Sequence, residues 1–318
     1  MAGSERGAAC AGTGGLSSFA LKAVAIVGMT ANHAGYLFAN ELPFWASCVL
    51  IGLGGLTFPT MAFLLVEGYR RTSNVKRYAF RLGVFALVSQ IPYGLFLADN
   101  GNVLFTLLIG LGVLYADEHV HSRGAFWAIA AAGALASLAC DWGFIGVVMI
   151  VLFKKLGAGP CPKGGAQPAE APTSKASPAG AATDNAEKAS AAVSAAAPDT
   201  PLAAVPDASA SSSPFVHGAD DAVPALLRTP LGAVAAPVLL VAIADGLPLL
   251  GELASSVIRS GDWSLLPFVL YPLVGCPATI PLLYAYRGRR GLPMKWFFYA
   301  YYPAHIAVLG VVHLLLFG

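Results

Sequence analysis

Nine apolar runs, each bounded by polar or charged residues, set the pattern of this chain. They lie near residues 20–39, 44–68, 78–97, 102–119, 124–140, 142–155, 230–250, 264–286 and 295–317. Crossing the hydrocarbon core of a bilayer takes about 20 mostly apolar residues. The pattern therefore predicts an all-α fold, a polytopic transmembrane helix bundle of about nine spans, with eight or ten as the alternatives. The sixth run is short. The eighth carries Pro267, Pro272, Pro277 and Pro281 and is expected to be kinked or broken, as proline removes a backbone donor and crowds the preceding turn. The first run has membrane length and no small-residue cleavage site before the next helix, which predicts an uncleaved first helix.

Residues 156–228 break the pattern. They are dominated by Ala, Pro, Ser and Gly with few large apolar side chains, too little to offset chain entropy by burial, so a disordered linker is expected there. The organisation predicted is a flexible N-terminus over 1–19, a six-helix membrane part over 20–155, the linker over 156–228 and a three-helix membrane part over 229–318. No internal repeat is visible, which weighs against transporters built from inverted repeats.

Charge gives the orientation. Basic residues cluster at Arg70, Arg71, Lys76 and Arg77, at Lys154 and Lys155, and at Arg287, Arg289, Arg290 and Lys295. The alternate loops hold Glu41, Asp99, Asp141, Glu252 and Asp262. The excess of Lys and Arg in cytoplasmic loops then predicts a plasma-membrane protein with its N-terminus and linker in the cytoplasm and its C-terminus outside. A topology offset by one after the linker is the competing reading. Only 11% of the residues are charged, against about 25% in an ordinary soluble domain, and 57% are hydrophobic. The net charge of +2 supports no nucleic-acid partner, and the five cysteines, Cys10, Cys48, Cys140, Cys161 and Cys276, show neither metal nor disulfide spacing.

Two histidines stand inside apolar runs, in Asn32-His33 and in Tyr302-Pro303-Ala304-His305. Titratable groups at membrane depth are costly and usually face a protein interior or a wet cavity. Counting from Lys22 and Lys295 at about 1.5 Å per residue puts both imidazoles roughly 15 Å from the inner boundary, where one cavity could hold both. The plainer alternative is two separate histidines bonded to neighbouring carbonyls or hydroxyls. Glu67 and Arg81 share an inner-leaflet depth and are expected to pair, since a lone charge there is expensive. Arg70, Arg71, Lys76 and Arg77 form a cationic rim that either anchors the protein or seats the phosphates of a coenzyme. Ser89-Gln90-Ile91-Pro92, Asn102 to Thr106 and Asp141-Trp142-Gly143 read as helix-packing and capping groups. No metal site is implied.

Three blocks carry a family resemblance: Leu21 to Gly35; Gly54-Gly55-Leu56-Thr57-Phe58-Pro59-Thr60 through Glu67-Gly68-Tyr69-Arg70-Arg71 to Arg81, with Ser89-Gln90-Ile91-Pro92; and Tyr299 to His305. Asn102 to Leu107 and Asp141 to Gly146 match further. The chain resembles the TraX family, whose members look like relatives of multispanning acyltransferases and whose founding activity is acetylation of the N-terminal residue of conjugative pilin. The resemblance implies an integral membrane acyltransferase using acetyl-CoA or another acyl-CoA as co-substrate, with no bound cofactor. It implies His33 as general base, with Asn32 where the family motif usually has Asp, and His305 assisting. Arg70, Arg71, Lys76, Arg77 and Arg81 would hold the coenzyme, with Glu67 fixing Arg81. The partners expected are the lipid bilayer, the acyl-CoA and an acceptor peptide, lipid or glycan with an amine or hydroxyl. A proton-coupled transporter or flippase, or a non-catalytic assembly partner, are the rival readings.

Overall fold

The structure is a computed structural model that describes residues 15–159, 224–292 and 294–317. The body of the expected linker, 160–223, lies outside the described residues, as do residues 1–14. The fold is mostly helical. In chain order the helices are α1 (Ser18–Leu37), α2 (Phe44–Gly54), α3 (Thr57–Arg71), α4 (Val75–Phe96), α5 (Val103–His119), α6 (Arg123–Ala136), α7 (Gly143–Lys155), α8 (Pro230–Ser260), α9 (Leu266–Leu270), α10 (Thr279–Tyr284) and α11 (Lys295–Phe317). The described residues before and after the linker form one compact unit.

All nine apolar runs become helix, and the eighth is broken as its prolines require. α9 passes into a π-helical turn at Tyr271–Gly275 before α10 begins. The second run also breaks, at the end of α2, where Gly54 packs directly on Asn32 of α1 and has no room for a side chain. Five segments are long and apolar enough to cross a membrane: Phe44–Arg71, Val75–Phe96, Pro230–Ser260, Leu266–Tyr284 and Trp296–Phe317. The expected nine are not all supported. α5, α6 and α7 have 17, 14 and 13 residues, short of the roughly 20 a span needs.

α5 and α7 are short because their N-termini are recessed. Asn102 caps α5 and donates to the carbonyl of Ala86 at 2.8 Å and to Gln90 Oε1 at 2.9 Å. That holds the start of α5 roughly 10 Å inside the far end of α4. The turn before α7 is clasped to the same place, since Gly101 and Cys140 form an isolated parallel bridge and the Asp141 N–H donates to the Gly101 carbonyl at 2.6 Å. Trp142 completes this corner in a left-handed conformation, φ 66°, with its indole stacked on Phe58 at 4.2 Å between centroids.

The fold is not purely helical. Leu16–Ser17 (β1) and Tyr286–Arg289 (β2) pair in parallel, joining the segment before α1 to the one before α11. The core runs through α3, α5, α7 and α8 and includes Phe58, Phe63, Leu111, Met149, Ile150 and Val238. Ala158, inside the stretch expected to be linker, is 2% exposed and belongs to it.

Candidate functional site

α1 and α11 cross so that His33 and His305 meet. Nδ1 of His33 lies 2.8 Å from Nε2 of His305, and the ring planes are parallel to within 8°. Both residues are buried, at 9% and 6% exposure. The shared level expected from helical rise is what the structure shows.

The hydrogen bonds fix where the protons sit. His305 Nδ1 lies 2.9 Å from the carbonyl of Tyr301, and a carbonyl oxygen can only accept, so that nitrogen carries the proton. A neutral His305 therefore presents Nε2 as an acceptor, and His33 must donate to it from Nδ1. The basic lone pair of the neutral pair is thereby moved to Nε2 of His33. This is the arrangement of a general base held by an orienting partner.

Tyrosines close the pair in. The Tyr301 ring stacks on His305 with centroids 5.1 Å apart. Its hydroxyl lies 2.9 Å from Thr30 Oγ1, which itself donates to the Ile26 carbonyl, so Tyr301 is the donor. Tyr302 sets its ring edge against His33 at 6.3 Å between centroids. Asn32 points elsewhere: its Nδ2 donates to the Ile51 carbonyl at 3.4 Å, in the seam between α1 and α2. It is a packing group there and makes no hydrogen bond to either histidine.

The rim is built differently from expectation. Glu67 does not pair with Arg81 but with Arg71, one turn along the same helix. The reason is rotational: Arg81 on α4 faces α11, with its guanidinium turned to the Tyr299 hydroxyl and 5.9 Å from the Tyr78 ring centre, and its Nε buried without a hydrogen-bond partner. Arg71 also donates to the Gly288 carbonyl at 2.8 Å, tying α3 to β2. Arg70 donates to the carbonyl of Ala158. Lys76 and Arg77 are exposed. Arg70 and Lys76 border a cavity of about 470 Å³ with Tyr69, Asn74, Glu118 and His119; neither Arg81 nor the His33–His305 pair lines it. Opposite them, Glu118 accepts from the Tyr69 hydroxyl at 2.6 Å and from Lys154 Nζ at 2.7 Å.

The residues that make both regions fall inside the match to a known family. The TraX protein family model covers residues 17–159 and 230–313, well over half of the chain. The chain belongs to the TraX family. Over 149 residues it is also 32% identical to a probable fimbrial assembly protein, FimC of serogroup H1, from Dichelobacter nodosus, an alignment covering 43% of this chain and 61% of that protein. The chain thus spans about three fifths of the length of the curated relative it matches. No solved structure matches it. Apolar helices and TraX membership together mark a membrane protein.

One residue was missed by sequence reasoning. Asp245 stands in the middle of α8, half-buried, 15 positions after Pro230, about 22 Å along the helix. An intramembrane carboxylate is a functional candidate on chemistry alone, and that signal was present in the sequence. Asp141, expected only to cap, belongs to the recessed corner before α7. Among the described residues no group of three or more His, Cys, Asp or Glu side chains is placed to hold a metal.

Proposed function

We propose that this TraX-family protein is an integral membrane acyltransferase, moving an acetyl or similar group from a cytoplasmic acyl-CoA to an amine or hydroxyl acceptor. The observation that carries the reading is the His33–His305 hydrogen bond, with its proton order fixed by the Tyr301 carbonyl. In this reading Nε2 of His33 removes the acceptor's proton as the acceptor attacks the thioester carbonyl. The C–S bond breaks, and the proton passes to the departing thiolate. His305 is a positioning residue that holds the tautomer and stabilises the imidazolium as it forms.

The rim cavity supports the coenzyme half of the reading. Arg70 and Lys76 offer donors to phosphate, and the N-terminus of α4, capped by Asn74, adds a favourable dipole. Arg77 extends that charge outward. Arg71 and Glu67 hold the fold beneath it, and Arg81 acts through Tyr299. The relative's title names fimbrial assembly, so we propose a subunit of a surface fibre, or another envelope component, as the acceptor. Orientation follows from the basic rim, which faces the cytoplasm in this proposal together with the N-terminus and the linker.

Thermal unfolding of the detergent-purified protein tests it. Acetyl-CoA is expected to raise the melting temperature in a saturable way, and His33→Ala to keep that response while losing transfer of a labelled acetyl group. Proton-linked flux in liposomes without any coenzyme, and no coenzyme-dependent stabilisation, would replace this reading with a transport one.

A further inference from the structure

The far end of α8 carries charges that acyl transfer does not use. Apart from Asp245 the helix is apolar from Leu231 to Leu250, and Glu252, Ser255, Ser256 and Arg259 follow. Those four positions share one helix face, since residues three and four apart are neighbours. They border a cavity of about 640 Å³ whose other walls include Pro248 and Leu265, the residue before α9. There is room in it: a side chain added at Gly251, which also lines it, would meet no atom within 4 Å.

Helical rise gives the depth. Glu252 stands 22 positions after Pro230, the first residue of α8, about 33 Å along the axis. That passes the roughly 30 Å of hydrocarbon, so the cavity opens at headgroup level on the side away from the linker. A tilted α8 brings Arg259 down toward the same layer.

Both charges have unused capacity. Glu252 takes part in no hydrogen bond or ion pair among the described residues. Arg259 forms no ion pair among them, and its Nε donates to the Ser255 carbonyl at 3.1 Å. That bond bends the side chain back toward the bilayer and leaves both terminal nitrogens of the guanidinium for an anion. An anionic ligand would oppose Glu252 and a cationic one Arg259, whereas a zwitterion satisfies both. The edge of the cavity continues into apolar surface, where Leu247, Leu250 and Ile258 of α8 and Trp263 beyond it are exposed. A water-soluble zwitterion leaves that surface bare, while acyl chains cover it, and Trp is the usual residue of the membrane interface. A second copy inserted the same way would bring Glu252 level with Glu252 and Arg259 level with Arg259, like charge against like.

We propose that this cavity binds the headgroup of a zwitterionic aminophospholipid, with the ammonium on Glu252 and the phosphate on Arg259 and the Ser255 hydroxyl. The lipid is held and not consumed, so the assignment is independent of acyl transfer.

The test uses the full chain in nanodiscs of matched acyl chains that differ only in headgroup: phosphatidylethanolamine, phosphatidylcholine or phosphatidylglycerol. Native mass spectrometry of protein released from an equal mixture should show phosphatidylethanolamine retained over the other two, and nanodiscs containing it should give the highest melting temperature. Glu252→Gln and Arg259→Gln, both at exposed positions, should each cut that preference by about three- to fivefold. Arg259→Lys should keep most of it, and Gly251→Phe, which fills the cavity and leaves the charges in place, should remove it. Equal retention of the three lipids, or a preference unchanged in both Gln variants, overturns the assignment. Free O-phosphoethanolamine that stabilises the protein equally well in phosphatidylcholine nanodiscs would show a water-soluble ligand and overturn the lipid as its source.

Discussion

His33 and His305 are 272 positions apart in the chain and 2.8 Å apart in space. This hydrogen bond joins α1 to α11, as the Tyr301–Thr30 bond also does, and it sets which nitrogen of His33 is basic.

Replacing His33 by Ala should cost about 10²- to 10⁴-fold in turnover with little change in coenzyme affinity, as expected of a general base that acts on the transition state. His305→Gln keeps an oxygen able to accept from His33 Nδ1, whereas His305→Leu does not. Steady-state kinetics should rank wild type above Gln, and Gln above Leu, in kcat. An active His33→Ala variant would remove the base assignment.

Asn32→Asp is expected to destabilise this structure. Asn32 Nδ2 donates to the Ile51 carbonyl, and Asn32→Asp would set oxygen against oxygen in the seam between α1 and α2. A loss of about 1–3 kcal/mol is expected. The variant's melting temperature should fall with no gain in activity, because this side chain makes no hydrogen bond to His33.

Arg71 and Arg81 should behave oppositely to sequence expectation. Glu67 is 6% exposed and pairs with Arg71, so Arg71→Ala strands a buried carboxylate. Arg71 is about a third exposed, which reduces the cost to about 1–3 kcal/mol. Arg81→Ala should destabilise less and leave Glu67 paired. A double-mutant cycle between positions 67 and 71 should show coupling, and one between 67 and 81 none.

Asn102 is fully buried and serves as both cap and bridge. Asn102→Ala removes the cap of α5 and leaves the Ala86 carbonyl and Gln90 without that partner. About 2–3 kcal/mol should be lost in thermal unfolding.

The proposed orientation is checked by labelling. A tag placed between residues 170 and 210 should resist a membrane-impermeant reagent in intact cells and react once they are opened. Labelling in intact cells would reverse the orientation.

The sequence made the helices legible because apolar runs of this length have few other uses. It also made the histidine pair legible, since rise along a helix converts position into depth. Rotation about each axis was not legible, and partners across helices depend on it. Arg81 faces Tyr299 instead of Glu67. Asp245 went unweighed because it stands alone in an apolar run with no neighbouring motif. The close approach of Gly54 to Asn32 depends on another helix, and the β1–β2 pair depends on residues about 270 positions apart. None of these follows from local pattern.

The recessed starts of α5 and α7 also bear on the surrounding lipid. The segment from Arg123 to Ala139 is apolar and only 17 residues long, and its Trp127, Leu135 and Leu138 side chains are exposed, whereas α8 is 31 residues long. At about 1.5 Å per residue these segments measure roughly 25 Å and 46 Å. A bilayer of uniform thickness cannot match both. A crossing by α6 would compress the bilayer beside it while α8 tilts, and partition of the protein toward short-chain lipids is the outcome expected of such a crossing.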